Sequence, residues 1–162
     1  MTNGPDARVQ SAGSYVSVNG LEMYYETHGT GQPLILLHGA FSAIGTSCRN
    51  VLPELAETRR VIAFEMQAHG RTADIDRPLS MEQMADDTVS ALEQLGIENA
   101  DFFGFSMGAG IALQAAIRHP QVVRKLLLAS VTYNEGGLHP GLMEGLAEMK
   151  PEMMYGSPWH EE

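Results

Sequence analysis

The chain has 162 residues, 44% of them hydrophobic and 19% charged, which is enough apolar material for one domain with a sizeable core and too little charge for a disordered chain. Ten Lys and Arg stand against twenty Asp and Glu, a formal charge of -10 that repels phosphate backbones and anionic lipid surfaces, so neither a nucleic acid nor a membrane is expected as a partner. The lone Cys48 can form no internal disulfide and has no companion at metal-ligand spacing, no apolar run reaches the roughly 18 residues of a membrane span, and no signal-peptide core opens the chain; a cytoplasmic protein with a buried, inert thiol is expected.

Residues 1–14 are polar and read as a loose tail, with too little apolar surface to offset the entropy of ordering. From Tyr15 two β-rich runs flank Asn19-Gly20, a pair suited to the positive φ angles of a type I′ turn, and predict an opening hairpin. After the break at Gly29 to Pro33, Leu34-Ile35-Leu36-Leu37 is an uninterrupted apolar run, the pattern of a strand buried on both faces of a parallel sheet. A short helix is expected over Arg49 to Ala56 and a buried strand over Arg60 to Phe64, followed by a turn-forming stretch from Glu65 to Thr72.

The clearest helix signal starts at Ser80, which with Gln83 forms a capping box. Met81, Met84, Ala85, Thr88, Val89, Leu92 and Leu95 then recur at helical spacing, and Gly96 stops the run. Asp101 to Phe105 reads as a strand, Met107 to Arg118 as an Ala-rich helix closed before His119-Pro120, and Arg124 to Ala129 as a sixth strand. The order β-β-β-α-β-α-β-α-β predicts an α/β, doubly wound, mostly parallel sheet with right-handed crossovers and ligands at the carboxyl ends of the strands. Residues 15–133 form this core. Residues 134–162, Met-rich and punctuated by Gly and Pro with one helical piece near Leu142 to Met149, read as the start of a lid, although Met143, Leu146 and Met149 also fit an amphipathic helix packed on the body.

The chemistry centres on Gly104-Phe105-Ser106-Met107-Gly108. A serine hydroxyl is a weak nucleophile unless a base takes its proton and the backbone holds it exposed, and a strand-Gly-x-Ser-x-Gly-helix turn provides the exposure. Ser106 would sit at a helix N-terminus, where the dipole favours an anion, and the Met107 amide could donate to a developing oxyanion. The turn after the Leu34 strand, His38-Gly39-Ala40-Phe41, offers a second donor, assigned to Ala40. His38, directly ahead of that turn, is expected to brace the loop rather than act as base, and Phe41 and Phe105 are expected to line an apolar substrate pocket. No motif calls for a metal, nucleotide or other cofactor.

Three stretches together resemble the α/β-hydrolase superfamily, in its cofactor-free branch of esterases, lactonases, haloperoxidase-like perhydrolases and carbon–carbon bond hydrolases: Leu36-Leu37-His38-Gly39-Ala40, Ala68-His69-Gly70-Arg71-Thr72, and the Ser106 elbow. The resemblance runs from about Tyr15 to Ser130. It implies a serine hydrolase acting on a small apolar ester, lactone or related carbonyl substrate, and it disfavours epoxide hydrolase or dehalogenase chemistry, whose relatives carry Asp at the Ser106 position. Where many relatives have an Asp after the fourth strand, this chain has Glu65-Met66-Gln67, and His69 and Arg71 there are expected to form a structural brace.

The resemblance also implies a triad in the order Ser, acid, His, with the acid after a seventh strand and the base after an eighth. No apolar strand pattern follows Ser130, so the fold is expected to be truncated after about the sixth strand, and Glu135, His139 and His160 are weak candidates for the missing acid and base. Such a sheet would leave the sixth strand as an open edge, to be covered by further chain or by a second copy pairing through it. A ligand-binding or scaffold protein on the same fold, and a perhydrolase using the same residues, are the alternatives.

Overall fold

The computed structural model describes residues 13–132, 137 and 141–154. Six strands form one sheet in the order β1-β2-β4-β3-β5-β6. Strands β1 (Ser14–Val18) and β2 (Leu21–His28) make the antiparallel hairpin, with Asn19 at φ 50 and Gly20 at φ 83 as its turn requires. Strand β2 pairs antiparallel with β4 (Arg60–Phe64), and from there β3 (Pro33–Leu37), β5 (Ala100–Phe105) and β6 (Val123–Ala129) continue the sheet in parallel. The chain order 3-4-5-6 therefore folds as the alternation of runs predicts, with β3 and β5 meeting at the centre.

The two faces are filled by alternate residues of the same strands. Ile35, Leu37, Ile62, Phe64 and Phe102 pack with Met84, Leu92 and Ile111 of α3 (Met81–Gln94) and α4 (Met107–Arg118). Leu34, Leu36, Val61 and Ala63 pack with Ile44, Cys48 and Leu52, contributed by α1 (Ile44–Ser47) and α2 (Leu52–Ala56) and the turn joining them. Burial pushes the Cys48 thiol up to about 12, so it stays protonated and packs as a small apolar group.

Two local expectations are corrected. The helix expected from Arg49 begins instead at Leu52, because Pro53 has no N–H and fits only in a first helical turn; the chain before it forms the separate α1. At α3 the Ser80 hydroxyl accepts from the Gln83 amide as a cap should (3.1 Å), but the Gln83 side chain reaches forward to Asp87 (3.1 Å) rather than back to Ser80, so only half of the box forms. Asp87 is buried and already bound by Arg77 and Asn19, and it outcompetes the exposed helix end for that amide. The helical piece expected near Leu142 is α5 (Leu142–Glu148), followed by a 3-10 turn at Pro151–Met154.

Among the described residues strand β6 is the last of the sheet. Its face toward α4 is half-buried, but Leu127 on the other face is 52% exposed. At the amino end of β5 a register shift brings Arg124 beside Asp101, whose Oδ2 also accepts from Arg59 (2.8 Å) while its buried Oδ1 has no partner among the described residues. Among the described residues no helix is long and apolar enough to cross a membrane.

Candidate active site

Ser106 stands between β5 and α4 with φ 52 and ψ -114, a backbone conformation that costs a non-glycine residue on the order of 1–3 kcal/mol and persists only where its surroundings enforce it. The enforcement is visible. The Ser106 amide donates to the Ala129 carbonyl at the end of β6 (2.9 Å), and the Ser106 carbonyl accepts from Ala109 (3.0 Å) and Gly110 (3.2 Å) in the first turn of α4. A methyl group on Gly104 would overlap the Gly108 carbonyl, and one on Gly108 would overlap the Leu37 carbonyl, so both glycines are required for β3, β5 and α4 to meet this closely. The side chain of Ser106 is left exposed, and Met107 is the first helical residue, whose amide belongs to the group with no carbonyl one turn back.

The same contact carries the turn after β3 to the serine. A Cβ placed on Gly39 would lie 3.6 Å from Ser106 Cβ and 3.1 Å from the Phe105 ring, so the Gly39-Ala40 backbone runs beside the elbow and the half-exposed Phe105 packs over it. His38 fixes this turn. Its Nδ1 donates to the Gly39 carbonyl (2.7 Å) and its Nε2 accepts from the Met66 amide after β4 (3.1 Å), so both ring nitrogens are committed and the buried ring is neutral. Burial lowers His38 to about 4, with the Gly39 hydrogen bond acting against that shift. This is the bracing role expected of it. Ser42 completes the turn, donating to the Gly39 carbonyl (2.8 Å) and lying 2.5 Å from the Ser47 hydroxyl.

Glu65, noticed in the sequence only as a departure from an Asp, holds the neighbouring loop. Its carboxylate is fully buried and receives the Arg71 amide (2.6 Å), the Arg71 guanidinium through Nε (3.1 Å) and Nη2 (2.6 Å), and the Ile44 amide (3.4 Å). Burial alone would push its carboxyl above the usual range, but the Arg71 hydrogen bonds outweigh it and hold the carboxyl below that range. Arg71 also lies 3.8 Å over the Tyr24 ring and donates to its hydroxyl, tying β2 to the loop. The signal was there to be read: a Glu between buried Phe64 and Met66 needs a cation, and Arg71 follows six residues later.

The turn after each parallel strand holds one non-glycine residue in the left-handed region: Phe41 after β3 (φ 55), Ala68 after β4 (φ 62), Ser106 after β5 and Ser130 after β6 (φ 56). Phe41, 53% exposed, lines a concavity of about 150 Å³ with Ala68 and His69. The structure thus brings together Ser106, Met107, Phe105 and the Gly39-Ala40 backbone, and Phe41 lines the concavity that Ala68 and His69 share. Glu135, His139 and His160 lie outside the described residues. Among the described residues no group of three or more His, Cys, Asp or Glu is placed to hold a metal ion.

Comparison with known proteins agrees with this geometry. The model of the alpha/beta hydrolase fold family matches residues 32–157. A 2-hydroxymuconate semialdehyde hydrolase of Pseudomonas sp. (strain CF600) is 39% identical over 72% of this chain and 42% of its own length, and the strigolactone esterase D14 of Arabidopsis thaliana is 28% identical over 74% of this chain and 48% of its own. Among solved structures, the N-acyl homoserine lactone degrading enzyme Est816 superposes with a TM-score of 0.72 at 31% identity, over 83% of this chain and 52% of that one. The chain thus spans about two fifths to one half of the length of these relatives. With a six-stranded mixed sheet, a strained serine between β5 and α4, and a family match over most of its length, the chain belongs to the α/β-hydrolase fold family.

Proposed function

We propose that this chain carries the nucleophile and oxyanion-binding part of a serine hydrolase acting on an ester, a lactone or a related carbonyl compound. The observation that carries the reading is the enforced left-handed conformation of Ser106, which holds an exposed hydroxyl at the start of α4. Ser106 Oγ attacks the carbonyl carbon, and the Met107 and Ala40 amides donate to the oxygen as it gains negative charge. Such preorganised donors contribute roughly 3–4 kcal/mol each to the transition state. Collapse of the tetrahedral adduct expels the alcohol and leaves an acyl-serine, which water then hydrolyses.

Deprotonating Ser106 requires a general base. His38 is excluded because both its nitrogens are used in bracing. His28, paired with Val61 at the amino end of β4, and His119, at the far end of α4, lie away from Ser106, and His69 commits Nδ1 to the Gln67 carbonyl with no carboxylate bonded to its ring among the described residues, so the base and its orienting acid are assigned to chain beyond the described residues. The relatives named above act as a semialdehyde hydrolase, an esterase and a lactone-degrading enzyme, which supports hydrolysis at a carbonyl as the common chemistry.

The test is covalent labelling by a fluorophosphonate of full-length protein that includes the chain carrying the base, located by peptide mass spectrometry. One adduct on the peptide containing Ser106, lost in Ser106→Ala, is expected; recovery of that peptide unmodified, or label persisting in Ser106→Ala, overturns the reading.

A further inference from the structure

The concavity between the turns after β3 and β4 has features that the catalytic reading leaves unused. At about 150 Å³ it is smaller than the roughly 300–1,000 Å³ of a whole ligand site, so it has room for one end of a substrate. Its walls include Phe41 and Ala68, two of the non-glycine residues held in left-handed backbone; strain of this kind collects where a structure is built around a ligand. The hydroxyls on its rim, Ser42 and Thr46, are spent on the Gly39 and Ala43 carbonyls (2.8 and 3.1 Å).

His69 is different. Its Nδ1 lies 2.8 Å from the Gln67 carbonyl, which can only accept, so Nδ1 carries the proton. In the neutral ring Nε2 is then a lone pair held in fixed orientation, and it has no hydrogen-bond partner among the described residues. The ring is half-buried, packs 5.1 Å from His38 and lines the concavity. The sequence marked His69 as a brace; the structure uses one nitrogen for that purpose and leaves the other available.

We propose that the Phe41–His69 concavity is a subsite that takes the distal end of the substrate, with His69 Nε2 accepting a hydrogen bond from a hydroxyl there and Phe41 covering the adjoining carbons. Resting on the hydrolase reading above, it narrows the substrate class to carbonyl compounds that carry a hydroxyl at a fixed remove. The spacing is set by the sheet: Ser106 follows β5 and His69 lies five residues beyond β4, with β3 alone between those strands, so the two lie on the order of two strand spacings, about 10 Å, apart. A hydroxyl on an extended chain of about six carbons, roughly 7 Å from its carbonyl carbon, falls within that range.

Binding can be read without turnover in Ser106→Ala, which separates this proposal from the identity of the nucleophile. The imidazole nitrogens of ¹⁵N-histidine-labelled Ser106→Ala protein are followed by NMR as the methyl ester of ω-hydroxyhexanoic acid, or of hexanoic acid, is added. A shift of the His69 Nε2 resonance with the hydroxy ester alone, and about fivefold tighter binding of that ester, are expected. His69→Phe should erase the preference, and His69→Gln, whose amide oxygen still accepts, should restore part of it. Equal affinity for the two esters, an unmoved Nε2 resonance, or a preference that survives His69→Phe overturns the proposal. Failure of fluorophosphonate labelling with the ester preference intact would instead overturn the Ser106 assignment alone.

Discussion

Strands β3 and β6 have almost the same inner sequence, Leu-Ile-Leu-Leu and Leu-Leu-Leu-Ala, and opposite fates. In β3 every residue after Pro33 is buried, whereas β6 has Arg124, Lys125 and Leu127 exposed and no residue fully buried. The ends of the two strands are held differently: the turn after β3 is pinned through His38 to the loop after β4, where the buried Glu65 pairs with the half-exposed Arg71, while the end of β6 is tied to the elbow through the Ala129 carbonyl, which accepts from the Ser106 amide. An apolar run therefore reports the surroundings a strand is made for. In β3 they are present within the described residues; on the outer side of β6 they are not.

The largest test of the pinned side is Glu65→Ala. It removes the acceptor for the Arg71 and Ile44 amides as well as the half-exposed guanidinium, and leaving each of those two amides without an acceptor costs about 1–3 kcal/mol. A urea midpoint unchanged from the parent protein would show that the loops after β3 and β4 hold without the pair. Next is Leu36→Ala, which opens a cavity against Ile44 and Leu52 and should cost about 3–4 kcal/mol in the same measurement.

His38 gives the pinned side a pH dependence. Unfolded, its imidazole ionises near 6.5; folded, burial lowers it to about 4, so the native state binds the proton less well than the unfolded one. Its contribution is complete above pH 6.5 and is lost as pH falls toward 4 and through it, to an extent of about 3 kcal/mol. Stability measured at pH 7 and pH 4.5 should fall more steeply in the parent protein than in His38→Asn. Parallel slopes would mean that the ring does not remain neutral in its brace.

How much of this could be read in advance follows the same division. The apolar runs placed β3, β4 and β5 to within a residue, and the glycine-flanked serine placed the elbow, because strand burial and a tight strand-to-helix turn leave local marks. Helix α1 and the forward turn of the Gln83 side chain left none, being decided by competition with Pro53 and the buried Asp87. Glu65 was visible only as an oddity, since its partners come from α1 and from the loop folding back on it. The concavity beside His69 is less legible still: it arises where the turns after two strands meet, and no stretch of sequence contains both.

The smallest expected effect is the most informative about β6. Leu127→Ala removes a side chain already 52% exposed, so the area transferred to water is small and the cost to folding should stay within about 0.5 kcal/mol, against several for Leu36→Ala in the matching run. Both are leucine truncations within parallel strands of one sheet, and intrinsic strand preference changes equally in the two, so their difference isolates burial. A loss above about 1 kcal/mol for Leu127→Ala in urea denaturation would show that the outer face of β6 is covered in solution. The Asp101 Oδ1 that has no donor among the described residues, with the Arg59 and Arg124 guanidinium groups beside it, would then be the first place to look for the contact.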